Sequence, residues 1–142
     1  AYLIILSSGS LYTSILPHLI VDDVKNAIDK SRAPIMYISN LVSQPGETDD
    51  YTVSDHLKIL NKYLGKRKVD VVLANNAKID KAIVKKYSSL EHKELVLIDE
   101  KKIEKLGTRI IGDKIFAIDG GSIRHNSLKT AFLIFSYLME GE

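Results

Sequence analysis

The chain has 142 residues, of which 45% are hydrophobic and 27% are charged, and its 20 basic and 18 acidic side chains leave a net charge of +2. This length and apolar content are typical of about one globular domain with a buried core. The near balance of charge and the scattered lysines give no basis for binding nucleic acid. Because the sequence contains no cysteine, disulfides, thiolate metal sites and a cysteine nucleophile are excluded.

No apolar run approaches the roughly 20 residues of a membrane-spanning helix, and the apolar start lacks the basic segment and cleavage site of a signal peptide. We therefore expect a cytoplasmic protein that does not interact with membranes. The sequence begins without Met, inside an apolar run at residues 2–6, whereas natural domains seldom start within a central strand. We interpret residues 1–142 as a single α/β domain that forms the second half of a longer chain.

Short apolar runs alternate with amphipathic segments along the chain. The runs predict strands at residues 2–6, 35–39, 69–74 and 95–98, and two shorter ones at 109–111 and 114–118. An amphipathic helix is predicted to start near residues 52–55 and to end at Gly65. The last helix starts near Ser127, and its predicted buried side consists of Leu128, Ala131, Phe132, Phe135 and Met139. Strands that alternate with helices indicate a mostly parallel sheet with right-handed crossovers.

A long polar loop, residues 40–56, separates the second predicted strand from the helix that follows. Loops in such folds need only about 2 to 6 residues, and longer polar loops are usually functional or disordered. Pro45, Gly46 and the Tyr51 ring favour an ordered loop, so we predict a binding role. Ligands of open parallel sheets bind beyond the carboxyl ends of the strands. The segments predicted to meet there are residues 7–14, 40–56, 75–76, 99 and 120–126.

Residues 7–14 have the composition of an anion site. Gly9 permits a tight turn, and hydroxyls and unpaired amides at the start of a helix can bind phosphate oxygens. From spacing alone, the more common alternative is an ordinary strand-to-helix turn in which the hydroxyls only cap the helix. The segment is not a Walker loop, since no Gly-Lys-Ser/Thr follows, and the sequence has no G-x-G-x-x-G dinucleotide fingerprint.

Other side chains are weaker candidates for binding or catalysis. Arg124 carries the planar guanidinium that suits a diphosphate, although a surface arginine is the more common outcome. His125 is a candidate general acid-base group or a residue that helps to start the last helix. Tyr12 and Tyr51 are candidates for stacking on a base or sugar, although tyrosines more often only pack.

The acidic and histidine side chains show no recognised metal-ligand spacing. Asp55 is predicted to cap a helix and not to pair with His56, because adjacent helical residues point about 100° apart. The remaining oxygen donors are Asp49, Asp50, Asp99 and Asp119. We expect no metal held by the protein and no tightly bound cofactor, although a nucleotide ligand could carry Mg²⁺.

Four segments together carry a family resemblance: residues 9–17 (Gly-Ser-Leu-Tyr-Thr-Ser-Ile-Leu-Pro), residues 37–49 with their Gln-Pro-Gly-Glu-Thr-Asp ending, residues 51–56 (Tyr-Thr-Val-Ser-Asp-His) and residues 123–125 (Ile-Arg-His). They resemble, in order, the YvcK-like family of bacterial gluconeogenesis factors, which is related to the CofD 2-phospho-L-lactate transferases. The family usually has Gly-Pro-Gly-Ser where this chain has Ser-Ser-Gly-Ser at residues 7–10. Its members also carry a glycine-rich nucleotide loop in a first half that this sequence lacks.

The resemblance implies a Rossmann-like three-layer α/β sandwich with a mostly parallel sheet, as a fragment of a larger domain. It also implies binding of UDP-sugars such as UDP-N-acetylglucosamine and a regulatory role in carbon metabolism, cell shape and wall synthesis. By analogy, Gly9, Ser10 and Thr13 line the phosphate side, and Asn40, Gln44 and Thr48 form the ligand-facing rim. Arg124 holds the diphosphate. The full set of predicted ligand-binding residues is Gly9, Ser10, Tyr12, Thr13, Asn40, Gln44, Thr48, Asp49, Arg124 and His125.

The resemblance implies a non-catalytic ligand-binding regulator more than an enzyme. Two alternatives stay open: a transferase that moves 2-phospho-L-lactate onto a deazaflavin, and an inactive half-domain that self-associates through an exposed sheet edge. As partners we expect a nucleotide-type small molecule, the missing half of the same protein and a further copy of the chain in a homo-oligomer.

Overall fold

The computed structural model describes residues 2–140. Its strands are β1 (Ile4–Leu6), β2 (Ile35–Ile38), β3 (Val71–Asn75), β4 (Arg109–Asp113), β5 (Phe116–Asp119) and β6 (Ser122–His125). Its α-helices are α1 (Leu16–Leu19), α2 (Asp22–Lys30), α3 (Val53–Leu64), α4 (Lys81–Lys86), α5 (Glu100–Lys105) and α6 (Ser127–Glu140). Single π-helical turns at Leu11–Ile15 and Tyr87–Glu91 adjoin α1 and α4. Within the described residues, no helix has the length and apolar character needed to cross a membrane.

The strands β1 to β4 form one parallel sheet in the order β1-β2-β3-β4. Tyr37 of β2 lies opposite Val72 of β3, and Leu73 of β3 lies opposite Ile111 of β4. Parallel neighbours need crossover connections, and helical segments supply each of them here. The carboxyl ends of all these strands therefore meet at one edge of the sheet. This architecture confirms the predicted α/β class with a parallel sheet.

The larger core lies on one face of the sheet. Alternate strand residues, including Tyr37 and Val72, pack there against α1, α2, α3 and α5. The leucines of α3 recur on one side of the helix, and Leu57, Leu60 and Leu64 are all buried. Full burial of each such side chain contributes about 1.5 to 3 kcal/mol to stability, so this helical stripe anchors α3 on the sheet.

The other face is covered by the β5–β6 hairpin and by α6. The strands pair antiparallel, and Gly120 and Gly121, with φ values of 55° and 80°, form the turn between them. Leu133 and Ile134 of α6 pack on the smaller core, which is centred on Leu73. Residues 120–126 follow β5, but they are not all loop, because the two glycines turn the chain back and residues 122–125 continue as a strand.

The predicted buried side of α6 is its exposed side. Thr130 is buried and Leu133 and Ile134 are half-buried, whereas the predicted residues all lie exposed: Leu128, Ala131, Phe132, Phe135 and Met139. The helix has an apolar stripe on each of two sides. Its periodicity therefore does not show which stripe packs on the sheet.

Residues 95–98 do not form the predicted fourth strand of the sheet. Leu95 makes an isolated antiparallel bridge with Val42, and the N–H of Val96 donates to the carbonyl oxygen of Leu41 at 3.0 Å. The position beside β3 is taken by β4 instead. The backbone of this apolar run pairs with the long loop after β2 and not with a strand of the sheet, and this pairing fixes the position of the loop.

A capping box and Asp99 fix the start of α3. The Thr52 side chain accepts a hydrogen bond from the N–H of Asp55, whose carboxylate accepts one from the N–H of Thr52, so Asp55 is a cap as predicted. Asp99 accepts hydrogen bonds from the Ser54 N–H at 2.9 Å, from the Thr52 hydroxyl at 2.8 Å and from the Ser54 hydroxyl. Burial would raise the pKa of Asp99, but these hydrogen bonds outweigh burial and hold its pKa below the usual value.

We expect Asp99→Asn to lower the free energy of unfolding by about 1 to 2 kcal/mol near neutral pH, because a charged acceptor makes stronger hydrogen bonds than an amide, with some solvent screening. A carboxylate with a depressed folded pKa stabilises the fold above its unfolded pKa of about 3.9, and this contribution is lost as the pH falls through the folded pKa. In urea unfolding at a series of pH values, the difference between wild type and variant should therefore shrink below about pH 4. A difference that does not change with pH would contradict this role.

We expect Tyr37→Phe to leave the free energy of unfolding unchanged or to raise it by up to about 1 kcal/mol. Tyr37 is fully buried, and its hydroxyl makes no hydrogen bond of good geometry in the part of the chain that the structure describes. Burial raises the pKa of Tyr37 and outweighs the opposite effect of the nearby Asn40 backbone and Ser39 side chain, so the hydroxyl stays neutral. Urea unfolding measures the effect, with Tyr37→Leu as the control that removes the ring and should destabilise. A clear loss of stability in Tyr37→Phe would show that the hydroxyl is bonded after all.

Candidate functional site

Asn40 joins the loop after β1 to the loop after β2. Its side-chain amide accepts a hydrogen bond from the N–H of Gly9 at 2.9 Å and donates one to the carbonyl oxygen of Gly9 at 2.7 Å. Glycine also suits the packing of this loop on the π-helical turn, since a Cβ at position 9 would lie 3.3 Å from the Cβ of Ser14. The second amide hydrogen of Asn40 and one lone pair of its oxygen are left for another partner. Two predicted ligand-binding residues thus form one fixed unit.

A cleft of about 190 Å³ opens beside this contact. The residues that line it are Ser8, Gly9, Asn40, Leu41, Val42, Gln44, Ile123 and His125. Gly9, Asn40, Gln44 and His125 are all predicted ligand-binding residues, and they come from three separate segments of the chain. The cleft is smaller than the roughly 300 to 1,000 Å³ of a typical ligand pocket, so it has room for one ring-sized part of a larger ligand.

His125 forms the wall contributed by β6. Its Nε2 lies 3.0 Å from the carbonyl oxygen of Ser39, and because a carbonyl oxygen can only accept a hydrogen bond, Nε2 carries the proton and donates. In the neutral ring, Nδ1 then carries the acceptor lone pair. The alternative role at the start of the last helix belongs to Asn126, whose side-chain oxygen accepts from the N–H of Lys129 at 3.0 Å.

Arg124 does not line the cleft. Successive residues of a strand point to opposite sides, and the lining residues Ile123 and His125 flank it in β6. The Arg124 side chain is 67% exposed, and a carboxylate oxygen of Asp119 lies 4.0 Å away. So exposed a pair adds little stability. Its predicted contact with a diphosphate stays a prediction.

The long loop after β2 is ordered by its own polar side chains, in agreement with the prediction of an ordered loop. The Thr48 hydroxyl accepts from the N–H of Gln44 at 2.8 Å, and the Asp49 carboxylate accepts from the N–H of Gly46 at 2.8 Å. Gly46 has a φ of 79°, which favours glycine. Thr48 is fully buried, and its hydroxyl holds the loop together. Its predicted place on the ligand-facing rim stays a prediction.

Two side-chain pairs tie the π-helical turn at Leu11–Ile15 to this loop. The Ser10 hydroxyl donates to a carboxylate oxygen of Glu47 at 2.8 Å, and the Tyr12 and Tyr51 hydroxyls lie 2.9 Å apart. The hydrogen bond to Tyr51 raises the pKa of Tyr12 to about 12. Neither tyrosine lines the cleft. Glu47 puts a negative charge next to Ser10, where the sequence predicts a phosphate.

Backbone N–H groups supply the remaining donors on the predicted phosphate side. The first N–H groups of a helix have no intrahelical acceptor. Here the N–H of Ser14 is the first to bond, to the carbonyl oxygen of Ser10 at 2.9 Å. The N–H groups of residues 11–13 are therefore placed to meet an anion. The side chain of Thr13, and that of Asp49 in the long loop, lie exposed outside the cleft lining.

His56 is a core histidine that supports the site from below. Its Nδ1 lies 2.9 Å from the carbonyl oxygen of Thr52, and its ring packs between Tyr37 and Tyr51, at centroid distances of 6.3 and 5.7 Å. Burial lowers the pKa of His56, so the ring is neutral at neutral pH. Its contact with the Tyr51 ring helps to hold the end of the long loop.

The cleft combines amide, imidazole and apolar surfaces and suits a neutral polar ring. No lysine or arginine is among its lining residues, and residues 2–140 contain no grouping of His, Asp and Glu that could hold a metal. Asn75 and Asn76, also expected at this edge, line an adjoining cleft of about 370 Å³ that shares Asn40 and Leu41 with the first one. Sequence reasoning missed the apolar walls, Leu41, Val42 and Ile123, because an apolar loop residue carries no functional signal. Glu47 could have been identified from the sequence, since it belongs to the specific Gln-Pro-Gly-Glu-Thr-Asp motif.

The sequence is similar to bacterial proteins of greater length. The gluconeogenesis factor of Bacillus subtilis is 39% identical over 140 residues, which cover 99% of this chain and 44% of that protein. The putative gluconeogenesis factor of Thermotoga maritima is 42% identical over 137 residues, which cover 94% of this chain and 43% of that protein. The chain thus spans less than half the length of these relatives.

A solved structure and a family model extend this similarity to the fold. The crystal structure of an upf0052 family protein from Bacillus halodurans matches with a TM-score of 0.89 and 39% identity, over 94% of this chain and 43% of that chain. The sequence model described as 2-phospho-L-lactate transferase CofD matches residues 1–116. The chain therefore belongs to the CofD family, and within it resembles the gluconeogenesis factors.

Proposed function

We propose that this chain is the part of a gluconeogenesis-factor-type regulator that binds a nucleotide-sugar, with UDP-N-acetylglucosamine as the first candidate. The names of the relatives support the gluconeogenesis-factor type. A role in carbon metabolism, cell shape and wall synthesis belongs to the same proposal. Because the chain spans less than half of the relatives' length, the rest of the ligand contacts are left to other parts of a full-length protein.

One observation carries the proposal: the Asn40–Gly9 contact stands beside a cleft that Gln44 and His125 also line. Loops after two neighbouring parallel strands and the end of a hairpin converge there, which is where open α/β sheets bind ligands. Their polar atoms are amides and an imidazole, which both donate and accept hydrogen bonds.

The chemistry of the cleft suggests how a UDP-sugar would divide between two parts of the site. A uracil ring presents alternating acceptors and a donor along one edge, and the amides of Asn40 and Gln44 can match both. The apolar side chains of Leu41 and Val42 suit the flat faces of such a ring. The diphosphate would then reach the N–H groups of residues 11–13, where a helix start favours anions.

Binding is a better match than catalysis for the polar groups near the cleft. The Nε2 atom of His125 is engaged by the carbonyl oxygen of Ser39. Asp55 and Asp99 are both occupied at the start of α3. A ligand held by neutral hydrogen bonds and backbone amides, with no acid-base pair aimed at it, supports a regulator more than an enzyme.

We expect UDP-N-acetylglucosamine to raise the melting temperature of the full-length protein, since a ligand at a hundredfold excess over its Kd stabilises the folded state by about 2.7 kcal/mol. Gln44→Ala should weaken binding about tenfold, the cost of one lost hydrogen bond to the ligand. The variant should melt like the wild type without ligand, because the Gln44 side chain makes no hydrogen bond among residues 2–140. Differential scanning fluorimetry and calorimetric titration measure the two effects.

Arg124→Ala serves as the comparison variant in the same titrations. If Arg124 contacts the diphosphate, the substitution should weaken binding of UDP-N-acetylglucosamine and leave binding of uridine unchanged. If the variant binds each ligand as tightly as the wild type does, the result agrees with the position of Arg124 outside the cleft. If no uridine nucleotide stabilises the full-length protein, the proposal is wrong.

We expect Glu47→Gln to tighten binding of UDP several-fold, because it removes a negative charge from the side of Ser10 that would face a phosphate. The glutamine can still accept the Ser10 hydrogen bond, so the loop contact is kept. Asp49→Asn is the matched control, since it also removes a loop carboxylate but one bonded to Gly46. Calorimetric titration with UDP at low salt should show a gain for Glu47→Gln only. Equal gains would indicate a general charge effect.

The family match supports a second candidate function, transfer of 2-phospho-L-lactate onto a deazaflavin, because the matching model carries that transferase's description. Incubation with both substrates and mass spectrometry of the deazaflavin distinguishes the two. A transfer product would favour the enzyme, and UDP-sugar binding without product would favour the regulator.

A further inference from the structure

His125 carries a hydrogen-bond acceptor that the described part of the chain does not use. Its Nε2 donates to the carbonyl oxygen of Ser39, which fixes the neutral tautomer and leaves a lone pair on Nδ1. Among residues 2–140, Nδ1 makes no hydrogen bond and is not enclosed by the protein. Because His125 lines the cleft beside Asn40, this acceptor is available to a ligand that enters the cleft.

The other histidine of this region, His56, shows the contrast. Its Nδ1 bonds the carbonyl oxygen of Thr52, and its Nε2 is buried without a partner among residues 2–140. A nitrogen buried in the core cannot meet a ligand, so His56 serves packing. Of the two rings, only that of His125 combines a fixed orientation with an accessible nitrogen.

Two side-chain amides line the cleft together with His125, and each can donate. The Asn40 amide gives one hydrogen to the carbonyl oxygen of Gly9 at 2.7 Å and has its second hydrogen left. The Gln44 side chain makes no hydrogen bond among residues 2–140, so its amide can turn its NH₂ group toward a ligand. The cleft therefore offers one acceptor of fixed orientation and two amide donors.

This set of groups is complementary to a cyclic imide, which is a ring with an N–H between two carbonyl groups. The imide N–H can donate to Nδ1 of His125, and the two carbonyl oxygens can accept from the amides. The apolar side chains of Leu41 and Ile123 line the same cleft and suit the faces of a flat ring. We propose that His125 selects a cyclic imide in this cleft by accepting a hydrogen bond from the imide N–H at Nδ1.

This inference deepens the proposed function and rests on it, because it takes the cleft as the place where the base of a nucleotide binds. Uracil has the imide N–H at N3, whereas cytosine has an acceptor nitrogen there. An acceptor that faces another acceptor leaves both unpaired, and a site built around a hydrogen bond rejects such an analogue. The full-length wild type should therefore bind UDP at least about tenfold more tightly than CDP.

The first test separates the roles of the two nitrogens of His125. In His125→Gln, the amide nitrogen is as many bonds from Cβ as Nε2 is, so it can still donate to the Ser39 carbonyl, but no acceptor is left at the place of Nδ1. Calorimetric titration of the full-length variant should show UDP binding weakened about tenfold and CDP binding unchanged. The melting temperature without ligand should stay that of the wild type, because the bond to Ser39 is kept.

His18→Gln is the matched control for this substitution. His18 lies exposed in α1 and does not line the cleft. The control variant should therefore keep the wild-type preference for UDP over CDP.

The second test changes the ligand and not the protein. In N3-methyl-UDP, a methyl group replaces the imide hydrogen. The methyl group should weaken binding to the wild type by at least about tenfold. It should weaken binding to His125→Gln much less, because the variant has no acceptor to lose, and the steric cost of the methyl group is common to both proteins.

Equal binding of UDP and CDP by the wild type would overturn the role of His125 and leave the proposed function in place. Equal losses of UDP and CDP binding in His125→Gln would also overturn it, since they would show that His125 only supports the wall of the cleft.

A deazaflavin is the last ligand to titrate, because its pyrimidine end has the same imide edge as uracil. If it binds the wild type and binds His125→Gln at least about tenfold more weakly, while no uridine nucleotide binds, the imide inference holds and the UDP-sugar proposal is wrong. If neither kind of ligand binds the full-length protein, both are wrong.

Discussion

The two hydrogen bonds between the Asn40 side chain and the backbone of Gly9 set the distance between the loops that follow β1 and β2. Parallel strands bring these loops to the same edge, but they do not by themselves hold two loops in contact. A side-chain amide can replace a backbone peptide group, because it offers the same donor and acceptor. Asn40 thus holds the two loops in a fixed position beyond the ends of the strands. The cleft lined by Gln44 and His125 depends on this fixed position.

The rest of the long loop is built outward from this contact by neutral and charged hydrogen bonds of its own. Thr48 closes a turn inside the loop, and the pairing with Leu95 and Val96 holds its outer side. The cost of ordering so many residues is thus met within the loop and not by a ligand. A binding surface that is already ordered loses less entropy when a ligand binds. The carboxylate of Glu47 is the one part of this ordered surface that disfavours the proposed ligand. Its negative charge lies next to the Ser10 hydroxyl and would repel a phosphate bound there.

Much of the fold could be predicted from the sequence because its signals are local. Continuous apolar runs identified β2 and β3, and Thr52 and Asp55 identified the start of α3. Residues 95–98 carry the same kind of run, yet their backbone pairs with a loop, since periodicity does not specify a pairing partner. The same limit applies to α6, where two apolar stripes compete for one sheet face. In the site, strand order predicted that the segments of Gly9, Asn40 and His125 meet at one edge, and the family resemblance singled out individual residues within them. Thr48 shows that a hydroxyl in a binding motif can serve the loop itself.

The two walls of the cleft are attached to strands of different local stability, because Gly9 follows β1 and Asn40 follows β2. Among residues 2–140, β1 is three residues long, pairs with β2 alone and leaves Ile5 exposed, whereas β2 is buried throughout and pairs on both sides. Local opening starts where buried contacts are few, so the β1 wall of the cleft detaches more readily than the wall built on Asn40. A ligand that spans both walls would tie the edge strand to the interior of the sheet. Occupancy of the cleft would then slow amide hydrogen exchange in β1 far more than in β2 or β3, and a small polar site would set the cohesion of a whole sheet edge.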